Sequence, residues 1–426
     1  MKVLAVSNLY PPNVVGGYEV LCFDVMQALA QRGINVSVLC SDYGTAAANF
    51  PDHQVHRDLK LLATPGNIYA PFEADSAQRQ KINQHNIDTF SDSVTTLQPD
   101  LLFVWNLHFF DVSLLKQIEE VNIPVVYLLT DNWFAAFHNP DFIAQYFSTQ
   151  VYVSAPQAHA KIKQLLHRCR GLFGTIRQRF RSERPLNGAA IFPSRFMREF
   201  YQHAGITFAH DTIIPHGIKK TAGASQKPTS RSGELCNQRE LKLLFAGRIV
   251  EIKGVHTIIQ ALPDIIENLP EYAVTLSVVG DSQDQSYTAR LHERIESLNL
   301  AGHVEFSPSV SESALVDLFN EHDIYLFPSL YEPFSLTLIH ALRAGIPTVA
   351  SRAGGTPEIV IHNQTGLLFD PADADDLAGH VVSLASDPHL RAQLSLKGSE
   401  YAQTFTFERM IEKIAEYLFD IEAENK

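Results

Sequence analysis

Cysteine is scarce in this chain, with four in 426 residues at Cys22, Cys40, Cys169 and Cys236 and no short-range pairing among them. That spacing signals neither a disulfide framework nor a zinc site, and a reducing, cytoplasmic compartment fits it best. Long apolar runs are missing as well. No segment keeps the roughly 18 or more apolar residues that a membrane span requires. The opening stretch from Met1 to Asn8 is far too short in its apolar part for a signal peptide, and reads as a buried strand. Positive charge is in deficit, the formal net charge being -13. Nucleic acid is thereby excluded as a partner, because affinity for its phosphates comes from clustered Lys and Arg. Polar low-complexity tracts are absent too, and 45% hydrophobic against 19% charged residues is the composition of an ordinary globular protein.

What is present is alternation. Short apolar runs at Val3 to Val6, Val36 to Leu39, Leu101 to Trp105, Val125 to Leu129, Leu243 to Ala246, Val274 to Val279, Ile324 to Phe327 and Thr348 to Ala350 are separated by helical patterns. This predicts an α/β fold of parallel sheets with helices on both faces. A chain of 426 residues exceeds the size at which one core keeps growing, so two domains are expected. The polar stretch between Lys219 and Glu240, with its Ser-, Gly- and Pro-containing run from Ser225 to Gly233, has the composition of a connector. The expected division is an N-terminal Rossmann-like domain over 1–218, a linker over 219–240 and a second Rossmann-like domain over 241–405. Two such domains facing each other leave a cleft at the carboxyl ends of their strands, where open α/β sheets bind ligands.

Residues 133–190 break this rhythm: aromatics at Trp133, Phe134 and Phe137 precede Lys161, Lys163, Arg168, Arg170, Arg177, Arg179, Arg181 and Arg184. A solvated helix face is the plainer reading of this reversal of sign. The other is a surface for anionic membrane, making a peripheral contact at its inner face, or for a phosphorylated acceptor.

Four segments carry the candidate chemistry. After the first strand, Tyr10 to Glu19 contains Gly16 and Gly17, whose lack of side chains lets backbone approach phosphate or sugar hydroxyls, or simply makes a tight turn. In Phe245 to Gly254, a strand is followed by Gly247, Arg248 and Lys253. A planar fork and a compact cation at a strand's carboxyl end, beside a helix start, suit a diphosphate. In Phe327 to Leu342, a strand ends, Glu332 follows in the loop and a helix begins near Ser335. Glu332 can accept from sugar hydroxyls there, while amides at Phe334, Ser335, Leu336 and Thr337 face a phosphate, with His340 one to two turns further on. Taken alone, a helical histidine is more often a core or surface group. Finally, Ala350 to Glu358 brings Gly354 and Gly355 after another strand, with Pro357 placed to start a helix and add a backbone wall.

In this order and at these separations, the segments resemble the family-4 retaining glycosyltransferases, from Lys2 to the last helix near Phe419. The resemblance rests on Gly16, Gly17 and Glu19, on Gly247, Arg248, Lys253 and Gly254, on Gly354 to Glu358, and on Ile214 to Ile218. It implies the GT-B architecture of two facing Rossmann-like domains, with a closing helix inside 406–426 returning to the first domain. It also implies retaining, metal-independent transfer of a sugar from a nucleotide-diphosphate donor to a saccharide, lipid-linked or small-molecule acceptor, without a resident cofactor. Glu332, Arg248 and Lys253 take the catalytic roles by this resemblance; Gly16, Gly17, Gly247, Phe334, Ser335, Leu336, Thr337, His340 and Gly355 complete the donor set.

Two positions depart from the family pattern. His340 stands where a second Glu, eight residues after the first, bonds the nucleotide ribose. A neutral imidazole offers one acceptor nitrogen where a carboxylate offers two oxygens. Thr130 and Asp131 stand where many relatives have His-Asp, which leaves Asp131 or His108 to orient the acceptor. These departures keep two other readings in view, a nucleotide-sugar epimerase on the same scaffold and a non-catalytic nucleotide-sugar-binding partner subunit.

Overall fold

The computed structural model describes residues 1–44, 48, 50–68, 72–151, 185–219, 239–282 and 284–425. The basic residues from Lys161 to Arg184, Cys169, Cys236 and most of the expected linker lie outside these. The chain divides into two compact units: one takes Met1–Gln145, His167–Ile214 and Arg409–Lys426, the other Tyr146–Leu166 and Pro215–Glu408.

The first unit holds a seven-stranded sheet of β1 (Lys2–Val6), β2 (Asn35–Ser41), β3 (Gln54–Leu59), β4 (Leu101–Val104), β5 (Val125–Leu128), β6 (Leu186–Phe192) and β7 (Phe208–Ile213). Their order is β3-β2-β1-β4-β5-β6-β7, with every pairing parallel. The central strands are apolar throughout because both faces are covered; Val3 to Val6 and Leu101 to Val104 are buried at every position. Helix Gly17–Gln31 turns Leu21, Cys22, Val25, Met26, Ala28 and Leu29 inward, the stripe a 3.6-residue period requires. Trp133 and Phe134, from the aromatic start of the irregular region, are also core residues, Phe134 packing on Tyr127 with ring centroids 4.9 Å apart. They offer nothing to a membrane surface.

The second unit holds a six-stranded parallel sheet of β8 (Arg239–Ala246), β9 (Tyr272–Val279), β10 (Val304–Ser307), β11 (Ile324–Phe327), β12 (Thr348–Ser351) and β13 (Leu367–Phe369) in the order β10-β9-β8-β11-β12-β13. Alternate residues of β8 enter different cores. Leu241, Leu243 and Phe245 pack with helix Val255–Asn268, whereas Leu244 and Ala246 pack with helix Leu336–Ala344. Burying one such side chain contributes about 1.5–3 kcal/mol, and the two-residue period distributes that stabilisation over both faces.

All eight expected strands are present, and five more flank them. Gln54–Leu59, Leu186–Phe192, Phe208–Ile213, Val304–Ser307 and Leu367–Phe369 all lie toward the sheet margins; exposure dilutes the apolar signal in Gln54–Leu59, Phe208–Ile213 and Val304–Ser307, whereas Leu367–Phe369 is buried and only three residues long. The last helix, Phe407–Glu424, runs from the second unit into the first, burying Met410, Ile411, Ile414, Leu418 and Ile421. No helix among the described residues is long and apolar enough to cross a membrane.

Candidate functional site

In the second unit, β8 is the strand on whose two sides the order reverses: β9 and β10 continue one way, β11, β12 and β13 the other. Ligands of open α/β sheets bind at such a switch point, outside the carboxyl ends of the strands. The loops leaving β8 and β11 meet there. Leu330 N donates to Ile252 O at 2.8 Å, and Gly254, at φ 71°, lies so close to Pro328 that a Cβ would come within 2.1 Å of its carbonyl oxygen.

The result is that Lys253 and Glu332, 79 residues apart, form an ion pair with Nζ 2.5 Å from Oε2. Their side chains are 18% and 8% exposed. Removing either partner would strand a largely desolvated charge. The Glu332 backbone is fixed from β12: Gly355 N donates to Glu332 O at 2.8 Å, and Gly354, at φ 58°, leaves no room for a Cβ against the same carbonyl oxygen. Ser335 caps helix Leu336–Ala344 by accepting from Leu338 N at 3.2 Å, and this anchors the turn that carries Phe334. Phe334 packs edge-on against His216, with ring centroids 5.5 Å apart, and burial lowers the His216 pKa to about 4. His340 is buried on the same helix, while Leu336 and Thr337 are partly exposed at its start. Gly247 N donates to Val279 O at 2.9 Å; next to it, Arg248 is exposed, and among the described residues it makes no ion pair.

One expectation changes in detail. The helix start beside Lys253 does not present all its amides outward, because Tyr287 Oη accepts from His256 N at 3.2 Å. Nothing in the sequence marked Tyr287; its partner is 31 residues away.

In the first unit, the reversal falls between β1 and β4. Gly16 caps helix Gly17–Gln31, and the buried Glu19 carboxylate accepts from Gly16 N at 2.9 Å and Val15 N at 3.4 Å. Burial nevertheless raises the Glu19 pKa, those amides opposing the shift. A Cβ on Gly16 or Gly17 would meet nothing within 4 Å. After β5, Asp131 accepts from Trp133 N at 3.0 Å, and burial raises its carboxyl to about 6 against that bond. Tyr18 donates to Leu128 O at 2.7 Å and, like Glu19, feels the Asp131 charge, so the turns after β1 and β5 are neighbours. Thr130 Oγ1 is buried there without a hydrogen-bond partner among the described residues. His108 follows β4 at the surface, its ring 4.4 Å from that of Phe109, and partial desolvation lowers its pKa. The named acceptor-side residues thus sit on the turns after β4 and β5, and the named donor residues of the second unit on the turns after β8, β11 and β12 or, for Leu336, Thr337 and His340, in helix Leu336–Ala344.

The profile of Glycosyltransferase Family 4 matches residues 15–221, and that of Glycosyl transferases group 1 matches residues 226–401. Between them they take in both sets of turns. The chain belongs to the family-4, group 1 glycosyltransferases. As a member of that family it is a sugar-transferring enzyme, and neither the epimerase nor the non-catalytic reading finds support among its relatives. An uncharacterized glycosyltransferase of Methanocaldococcus jannaschii is 23% identical over 91% of this chain and 90% of its own. Relatives with a defined reaction in their names are matched over about half their length, 46% for the D-inositol 3-phosphate glycosyltransferase of Rhodococcus jostii at 31% identity. Among solved structures, sucrose-phosphate synthase from Thermosynechococcus elongatus superposes with a TM-score of 0.73 at 19% identity, covering 99% of both chains. Anabaena HepE, solved with UDP and glucose, superposes with a TM-score of 0.63 at 20% identity, covering 99% of this chain and 100% of its own. The glycosyltransferase fold is therefore the GT-B type, with two parallel α/β units.

Proposed function

We propose that this glycosyltransferase moves a sugar from a nucleotide-diphosphate donor to a hydroxyl-bearing acceptor, with retention at the anomeric carbon and without a metal ion. The observation that carries this reading is the Lys253–Glu332 pair at the switch point of the second sheet. A diphosphate arriving there takes over Lys253 and recruits the exposed Arg248, whose fork matches phosphate oxygens. Glu332, relieved of its partner, accepts hydrogen bonds from donor-sugar hydroxyls. The amides at Leu336 and Thr337 add positive potential at a helix start. HepE, of the same fold, is solved with UDP and with UDP-glucose.

In the reaction the bond from the anomeric carbon to the diphosphate oxygen breaks, and the acceptor oxygen bonds to that carbon on the same face. The acceptor proton passes to the departing phosphate oxygen. Lys253 and Arg248 stabilise the charge left on the diphosphate, which is the work a metal does elsewhere. Asp131, His108 and Thr130 orient the acceptor, a saccharide, a lipid-linked sugar or a small polyol. His340 offers one ring nitrogen to the nucleotide ribose. A cytoplasmic location goes with this reading, Cys22 and Cys40 being buried free thiols.

The test is a panel of UDP-, GDP- and ADP-sugars, read by thermal shift and by released nucleotide, with EDTA present and absent. One donor raises the melting temperature by mass action, and is turned over equally with EDTA. Lys253→Ala then lowers kcat/KM by about 10²–10³-fold, the loss typical of one preorganised donor to a developing charge. Product NMR shows the donor's anomeric configuration. An inverted product, or activity abolished by EDTA and restored by a divalent ion, overturns the corresponding part of the proposal.

A further inference from the structure

The turn that carries Lys253 is held from behind by groups that touch no candidate site residue. Lys253 closes a single 3-10 turn, Glu251–Lys253, and helix Val255–Asn268 follows after Gly254. A three-residue turn followed by a left-handed glycine has little rigidity of its own. The β11 loop holds it on one side, through Leu330 N donating to Ile252 O, and helix Gln285–Ser297 braces it on the other. Arg290 Nη2 lies 2.9 Å from Glu251 Oε2, at the other end of the same turn, and the guanidinium stacks 5.5 Å from the Tyr287 ring centroid. The Tyr287 hydroxyl accepts from His256 N at 3.2 Å and bonds His256 Nδ1 at 2.8 Å. The turn and the first turn of the following helix are thus fastened to one face of a second helix. That helix is itself fixed by Asp284, which accepts from Tyr287 N at 2.9 Å.

The two fasteners differ in kind. The Arg290–Glu251 pair is about half-exposed at both ends, and such a pair contributes little by itself. Tyr287 is 2% exposed, and its hydroxyl satisfies a helix-terminal amide that has no intrahelical partner. Stacking on the Tyr287 ring restricts the Arg290 fork, which links the two contacts.

We propose that Tyr287, with Arg290, is a positioning residue for donor binding: it acts through the Glu251–Lys253 turn to hold Lys253 where the second phosphate of the donor is bound. The proposal rests on the reading that the second unit binds a nucleotide diphosphate. It predicts a loss confined to ligands that carry the phosphate Lys253 meets.

The experiment measures binding of UDP, GDP and ADP and of the corresponding monophosphates to the full chain. The variants are Tyr287→Phe, Arg290→Gln, Arg290→Lys, Lys253→Ala and Tyr287→Phe combined with Lys253→Ala. The expected result is that Tyr287→Phe weakens the preferred diphosphate about fivefold, the scale of one lost hydrogen bond, and leaves its monophosphate unchanged. Arg290→Gln has the same sign and a smaller size, and Arg290→Lys restores part of it. In the Lys253→Ala background Tyr287→Phe has no further effect, because its route is gone. Equal weakening of mono- and diphosphate, or full additivity with Lys253→Ala, overturns the positioning role. If no diphosphate binds the wild-type chain better than its monophosphate, the donor reading itself fails. Should Tyr287→Phe not fold, Arg290→Gln on the exposed helix face carries the same comparison.

Discussion

The glycines on the turns that carry candidate site residues serve opposite purposes in the two units. In the second unit, Gly254 and Gly354 have positive φ and sit against carbonyl oxygens of Pro328 and Glu332, so the fold itself forbids a side chain. In the first, Gly16 is extended at φ -164°, a conformation open to any residue, and neither it nor Gly17 has a neighbour where a Cβ would go. Glycines of the first kind build a site from inside, by letting three loops close on one another. Glycines of the second kind meet no packing constraint in their own unit beyond the place of Gly16 as N-cap of helix Gly17–Gln31.

The sharpest way to break this comparison is Gly354→Ala. It places a Cβ against Glu332 O in a left-handed conformation, and a loss of about 2–4 kcal/mol is expected. Both tryptophans, Trp105 and Trp133, belong to the first unit, so their fluorescence follows that unit alone. Hydrogen exchange in the second unit should accelerate in this variant while the tryptophan-detected transition moves less.

Acidification separates the units next. The His216 pKa is lowered from 6.5 to about 4 by burial, so the unfolded chain takes up the proton first and second-unit stability falls as pH drops from about 6.5 toward 4. Asp131 is the reverse. Its pKa is raised from 3.8 to about 6, so a penalty on the charged form, fully present above pH 6, is relieved as pH falls toward 3.8. Each effect is on the order of 1–3 kcal/mol. Urea melts at pH 8 and at pH 4.5 should show His216→Gln less acid-sensitive than the parent, and Asp131→Asn more stable than the parent only at the higher pH.

The smallest effect on folding is expected from Gly17→Ala. An alanine in the first helical turn leaves stability unchanged or raises it by about 0.5–1 kcal/mol. The same change should lower kcat/KM, because the new methyl lies in open space beside the turn. Unaltered kinetics would remove the argument that this space receives a ligand.

How much of this was legible in the sequence depended on burial. The central strands β1, β4 and β11 and the Leu243–Ala246 half of β8 are apolar at nearly every position and could be read directly, whereas Gln54–Leu59 and Phe208–Ile213 carry His, Arg or Asp on exposed or half-buried positions and conceal their period. Lys253 and Glu332 were each visible beside a strand end, but not their contact, since spacing along the chain does not say that β11 pairs with β8 while β9 takes the other side. Tyr287 was invisible for a different reason: a tyrosine on an amphipathic helix reads as core, and only the placement of its hydroxyl distinguishes it.

The passage of the last helix from one unit to the other has a consequence for biosynthesis. Residues Arg409–Lys426 belong to the first unit, and the whole of Pro215–Glu408 leaves the ribosome before them. The unit that begins the chain is therefore the last to be finished. Until Met410, Ile411, Ile414, Leu418 and Ile421 arrive, the surface they cover stays open to solvent, and the nascent protein passes through a stage in which its second half is complete and its first half is not.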